Sequence, residues 1–215
     1  MDSKVKLILD ELIIRYAELQ GVEADIAEAY ELMKAAYDKG GKLLIAGNGG
    51  SAADSEHIVG ELMKGFTKKR PLDEAFVKKL IATDIREGAL LSEKLQGALP
   101  AIALTGHTAL TTAFANDVEG TYAFAQQLYG YGKEGDVFLG ISTSGNSRNI
   151  IAALTLARAM GIKTIGLTGG TGGKLREKAD CAIVVPSSET YKIQELHLPI
   201  YHALCRMLEE TYFDA

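Results

Sequence analysis

"DVFLGISTSGNS", residues 136–147, passes from an apolar run into an uncharged cluster of hydroxyls, a glycine and an amide. The run Val137–Ile141 has no polar alternate positions and is short, the pattern of a strand buried on both faces. The turn after it holds Ser142, Thr143, Ser144 and Ser147, each able to donate a hydroxyl hydrogen bond. Apolar residues at helical period follow, so Asn146 and Ser147 open a helix whose free N–H groups point back at the turn. Those N–H groups and the helix dipole favour an anion by about 0.3–1 kcal/mol. Gly145 lets the backbone approach closely. Ordinary capping needs one hydroxyl, not four. The stretch therefore predicts a phosphate anchor that uses no Lys or Arg.

The same strand pattern recurs in "KLLIAG", "PAIALTG", "KTIGLTG" and "CAIVVPS". Helical patterns separate these runs at 109–115, 122–129, 147–160, 173–178 and 190–213. Such alternation predicts an α/β fold, a three-layer α/β/α arrangement around a five-stranded parallel sheet. With the flavodoxin-like order 2-1-3-4-5, strands one and three are neighbours. The turn "GNGGS", residues 47–51, and the turn 142–147 then flank one crevice, where open α/β sheets bind ligands.

Two amphipathic helices precede the first strand over about residues 3–39, either packed on the sheet or paired with another subunit. Residues 1–40 form this helical part, and 41–215 the sheet domain. The segment 67–97 is charged and helical and longer than a simple crossover requires. It is expected to be an inserted pair of short helices, with Lys68, Lys69, Arg70, Lys78 and Lys79 on a solvated face or on a rim that attracts anions.

The 215 residues suit one domain with added helices, and 47% hydrophobic with 24% charged residues is an ordinary globular balance. A net charge of -5 argues against a nucleic-acid or membrane-surface protein. Cys181 and Cys205 lie in apolar surroundings without a CxxC pair, as buried free thiols do. The N-terminus lacks a signal-peptide pattern, and no apolar run spans a bilayer, which predicts a cytoplasmic location.

Gly47, Gly49 and Ala52 fit G-x-G-x-x-A, but no second strand ending in an acid follows about 20 residues on, so no nucleotide cofactor is expected. "TGGTGGKL", residues 168–175, resembles a phosphate loop only in composition and reads as a turn and cap. Asp54, His57 and Glu61 share one helix face beside the crevice. Gln194, Glu195, His197 and His202 fall on the last helix, and His107 follows the second strand. Spacing alone leaves open which histidine matters.

"GNGGSAADSEHIVGEL", "FANDVEGTYAFAQQ", "GDVFLGISTSGNS" and "IQELHLPIYHALC" together resemble the sugar isomerase (SIS) domain of the sedoheptulose-7-phosphate isomerases, or phosphoheptose isomerases. The resemblance runs along the whole chain and is weakest over 67–97. It implies that Ser142, Thr143, Ser144 and Ser147 hold the phosphate, and that Asn48, Gly49, Ser51, Asp117 and Gln194 contact the sugar. It implies a divalent-metal set, usually zinc, at His57, Glu61, Gln194 and His202, with Glu61 and His202 in acid–base roles. His197 matches a family histidine outside the ligand positions. Tyr191 stands where some members carry an acid that contacts the sugar.

The implied reaction is isomerisation of sedoheptulose 7-phosphate to D-glycero-D-manno-heptose 7-phosphate through an enediol, in a homotetramer with sites at subunit interfaces. Two alternatives stand beside it. One is a non-catalytic SIS phosphosugar-binding or regulatory protein, resembling a regulator of replication initiation. The other is an isomerase of another phosphosugar.

Overall fold

Leu43 and Ile45 bury themselves on one face of the sheet, and Leu44 and Ala46 on the other. This two-residue alternation, with both faces apolar, is why the strand reads as an unbroken apolar run. The computed structural model describes residues 1–213, and the last two residues of the span 41–215 lie outside them. The strands are β1 Leu43–Ala46, β2 Ala101–Ala103, β3 Val137–Ile141, β4 Lys163–Gly169 and β5 Cys181–Val185. All pairs are parallel, and the order is β2-β1-β3-β4-β5, as the pattern predicts. Ala46 lies opposite Gly140, so the turns leaving β1 and β3 emerge side by side.

The helices are α1 Ser3–Arg15, α2 Glu23–Asp38, α3 Gly50–Met63, α4 Glu74–Thr83, α5 Ile85–Lys94, α6 Thr108–Phe114, α7 Ala123–Tyr131, α8 Arg148–Ala159, α9 Gly173–Lys178 and α10 Thr190–Tyr212. Helices α1, α2, α3 and α10 cover one face, sharing a buried cluster with Val137, Leu139, Ile165 and Ile183. Helices α7, α8 and α9 cover the other through Leu128, Ile150, Leu154 and Leu175. The two N-terminal helices thus pack on the sheet side, although α1 also leaves Leu7 and Ile14 largely exposed. No helix among the described residues is long and apolar enough to cross a membrane.

Residues 67–97 do form two short helices. Asp73 caps α4 and Asp84 caps α5. The helices pack so closely that a Cβ on Gly88 would lie 2.2 Å from the Leu80 carbonyl oxygen. The expected solvated face is corrected at two positions. Lys69, Lys78 and Lys79 are exposed, but Lys68 is half-buried and paired with Glu210 at 2.8 Å, and Arg70 is only 1% exposed. The Arg70 guanidinium donates to Glu209 and to two carbonyls in the last turn of α3, those of Glu61 and Leu62. Cys181 and Cys205 are free and buried, and burial pushes the Cys181 thiol up to about 12.

Candidate active site

The crevice between the β1 and β3 turns holds a cavity of about 340 Å³ lined by Asn48, Gly49, Ser51, Ser142, Thr143, Ser147, Thr190 and Gln194. Gly49 enters α3 at φ +56°, a conformation that glycine adopts without strain. Gly50 lies against Gln194: a Cβ there would stand 2.5 Å from the Gln194 amide nitrogen. The last helix thereby presses its amide against the first turn.

In the second turn, the Ser142 and Ser147 hydroxyls lie 2.9 Å apart. Ser147 is the N-cap residue of α8, yet its side chain makes no capping bond. Its hydroxyl is therefore not consumed by the helix start, which simple capping would require. Thr143 is half-buried, and Ser144 is exposed, its hydroxyl accepting from the Asn146 N–H at 3.2 Å. The turn 170–173 wedges behind this loop. Gly145 sits at φ +66°, and a Cβ there would come within 1.9 Å of the Gly172 carbonyl oxygen. The Leu175 N–H donates to the Gly145 carbonyl at 2.9 Å, and the Lys174 N–H to Asn146 Oδ1 at 3.2 Å. The glycines of "TGGTGG" were the only sequence signal for this buttress.

A second group forms where α3 meets α10. His57 Nε2 lies 3.1 Å from Glu61 Oε1 and 3.5 Å from His202 Nε2. On the other side of the ring, His57 Nδ1 lies 3.0 Å from the Tyr201 hydroxyl, which donates to Asp54 Oδ1 at 3.2 Å. Tyr201 has a single proton. With that proton given to Asp54, His57 Nδ1 is the donor to Tyr201, and Nε2 keeps its lone pair. His57 Nε2 and the Glu61 carboxylate then face each other as two acceptors, a conflict that a cation or a shared proton resolves. Burial, and then the nearby His57, lowers the pKa of His202. Burial raises that of Asp54 and of Tyr201.

Two imidazoles and a carboxylate are ligand types that suit a divalent ion such as zinc. One chain does not complete such a site. Gln194 lies at Gly50 instead, and among the described residues no group of three or more His, Cys, Asp or Glu side chains is arranged to hold a metal ion. His202 also lines a different cavity, with Leu12, Arg15 and Phe66.

The remaining candidates lie elsewhere. Asp117 is exposed in a π-helical turn, Ala115–Glu119, where it accepts from the Asn116 amide. His107 packs its ring on Tyr131. Glu195 and Tyr191 are exposed. His197 is fully buried, 3.3 Å from the Thr168 carbonyl oxygen, and burial lowers its pKa to about 4. Sequence reasoning missed the Tyr201 hydroxyl and Asn149, whose partners lie 144 and 101 residues away.

A hydroxyl-rich turn at the switch point of this sheet order stands where open α/β folds bind their ligands. A family model described as SIS domain matches residues 12–89 and 91–169. The chain belongs to that family, and within it to the phosphoheptose isomerases. The phosphoheptose isomerase of Aneurinibacillus thermoaerophilus is 40% identical over 213 residues, covering 99% of this chain and 90% of that one. The structure of phosphoheptose isomerase GmhA from Neisseria gonorrhoeae superimposes with a TM-score of 0.73 at 32% identity, covering 96% and 97% of the two chains. That of the phosphoheptose isomerase from Francisella tularensis gives 0.72 at 32% identity, covering 98% and 100%.

Proposed function

We propose that this enzyme interconverts sedoheptulose 7-phosphate and D-glycero-D-manno-heptose 7-phosphate. The observation that carries the proposal is the pairing of an uncharged hydroxyl turn at the β3–α8 junction with Glu61 and His202 brought together on α3 and α10. The turn anchors the substrate phosphate through Ser142, Thr143, Ser144, Ser147 and the N–H groups opening α8. Asn48, Ser51 and Gln194 line the crevice and orient the sugar, and Asp117, which lies outside it in one chain, would reach the sugar from a neighbouring subunit. Glu61 carries the proton between C1 and C2, and His202 protonates the carbonyl oxygen as the enediol forms.

His57, Glu61, Gln194 and His202 would hold a divalent metal, and zinc is the ion their donor types favour. Such an ion, when bound, polarises the substrate carbonyl. A homotetramer supplies the missing geometry in this reading: Gln194 and His202 open to separate cavities of one chain, and a neighbouring subunit brings the two halves together. The compartment proposed is the cytoplasm.

The test is an NMR assay with sedoheptulose 7-phosphate, with zinc supplied. Formation of the aldose supports the assignment. Absence of turnover, with activity on another ketose phosphate, overturns the substrate.

A further inference from the structure

Arg70 and Glu209 form an ion pair at 2.8 Å with neither side chain exposed to solvent. Burying two charges costs several kcal/mol per ion unless geometry and further hydrogen bonds offset it, and here all three guanidinium nitrogens and both carboxylate oxygens have partners. Arg70 Nη1 donates to the Leu62 carbonyl at 2.7 Å, and Nη2 to the Glu61 carbonyl at 2.9 Å. Its guanidinium also stacks on Phe213, 4.6 Å from the ring centroid. Glu209 accepts from the Phe66 and Thr67 N–H groups at 2.8 Å each, and from the Thr67 hydroxyl at 2.5 Å. These bonds pull the Glu209 carboxyl down to about 2 against the upward push of burial.

The location gives the pair more than a stabilising role. Glu61 and Leu62 lie in the last turn of α3, which ends at Met63, so their carbonyls lack helical partners and carry the negative end of the helix dipole. Arg70 donates to both, sharing the Leu62 carbonyl with the Leu99 N–H, and the other carbonyl belongs to the backbone of Glu61 itself. Glu209 lies two turns beyond His202 on α10, about 10 Å along the axis. The pair thus ties the end of the helix that carries His57 and Glu61 to the helix that carries His202.

We infer that Arg70 and Glu209 are positioning residues: they fix α3 against α10, and so set how Glu61 stands relative to His202 during proton transfer. The inference rests on the proposed acid–base roles of those two residues. A misplacement of about 1 Å at reacting groups can lower a rate by about 10²-fold.

The experiment compares wild-type enzyme, Arg70→Lys, and the double variant R70M/E209L. The double variant replaces a buried pair with apolar groups of similar size, which is often neutral or stabilising. Expected are a thermal midpoint near wild type, a kcat lower by about 10–100-fold, an unchanged KM, and shifted imidazole NMR signals of His57 and His202. Arg70→Lys keeps the charge but loses the forked grip on two carbonyls, and it should show the same kcat loss with KM held. If the double variant does not fold, Arg70→Lys decides the matter alone. Wild-type kcat and unmoved imidazole signals in either folded variant overturn the inference. A wild-type enzyme without isomerase activity defeats the functional reading instead, and the imidazole signals still report whether the pair sets the contact between α3 and α10.

Discussion

Asn48 and Asn149 exchange two side-chain amide hydrogen bonds, of 3.0 and 2.8 Å, across the crevice. The first belongs to the glycine turn after β1, the second to the opening turn of α8. The pair links the turn after β1 to the turn after β3 and sets their spacing. Asn149→Ala should raise KM for the phosphosugar several-fold and change kcat less. It should also cost about 1 kcal/mol in urea unfolding. An unchanged KM would show that the two turns hold their spacing without this link.

Glu61→Gln separates an enzyme from a binding protein. Without a base, kcat should fall by about 10²–10⁴-fold, while the affinity for sugar phosphate, read by calorimetry, stays within a few-fold. A variant with wild-type turnover would remove Glu61 from proton transfer.

Gly145→Ala places a methyl group against the Gly172 carbonyl in a left-handed conformation. It should destabilise the chain by more than about 1 kcal/mol and abolish protection by inorganic phosphate in thermal melts. Retained protection would mean that the buttress does not shape the anchor.

Tyr201→Phe removes the hydroxyl between His57 Nδ1 and Asp54 Oδ1. Asp54 Oδ2 already has no partner, so the carboxylate would lose its remaining side-chain bond. A stability loss of about 1–3 kcal/mol is expected, together with a fall in kcat as His57 loses its fixed orientation. Full activity in the folded variant would dismiss the tyrosine as an orienting group.

Acid stability should fall in two stages. His197 titrates at about 4 in the fold and near 6.5 when unfolded, so the unfolded chain binds more protons between these values. Its contribution, about 3 kcal/mol, is present above pH 6.5 and lost as pH falls to 4. Glu209, depressed from an ordinary 4.5 to about 2, acts next: its contribution is lost as pH falls through that lower range. Urea midpoints against pH test this. His197→Leu should flatten the first stage only, and an unaltered slope would refute the assignment.

Much of the fold was legible because each strand is short, apolar on both faces and followed by glycine or hydroxyl residues, which leaves a parallel sheet as the consistent solution. The hydroxyl turn was legible for a related reason: Ser142 to Ser147 carry their polar groups within six residues. The second half of the site was not. Helical spacing places His57 and Glu61 on one face, yet says nothing about the distance to His202, which tertiary packing alone decides. Arg70 misled for the same reason. In "TKKRP" it looks like its lysine neighbours, and only Glu209, 139 residues later, makes it a buried group.

The helical pair α4–α5 begins and ends at one point. The Gly97 N–H donates to the Arg70 carbonyl at 2.7 Å, and the Gln96 side chain accepts from the Gly65 N–H at 2.7 Å. With its entrance and exit stitched together, the hairpin is a closed detour from the sheet, and the Thr83–Asp84 bend at its far end is exposed. An insertion at that bend, such as a tag or a fluorophore, is expected to leave the thermal midpoint near that of the parent chain.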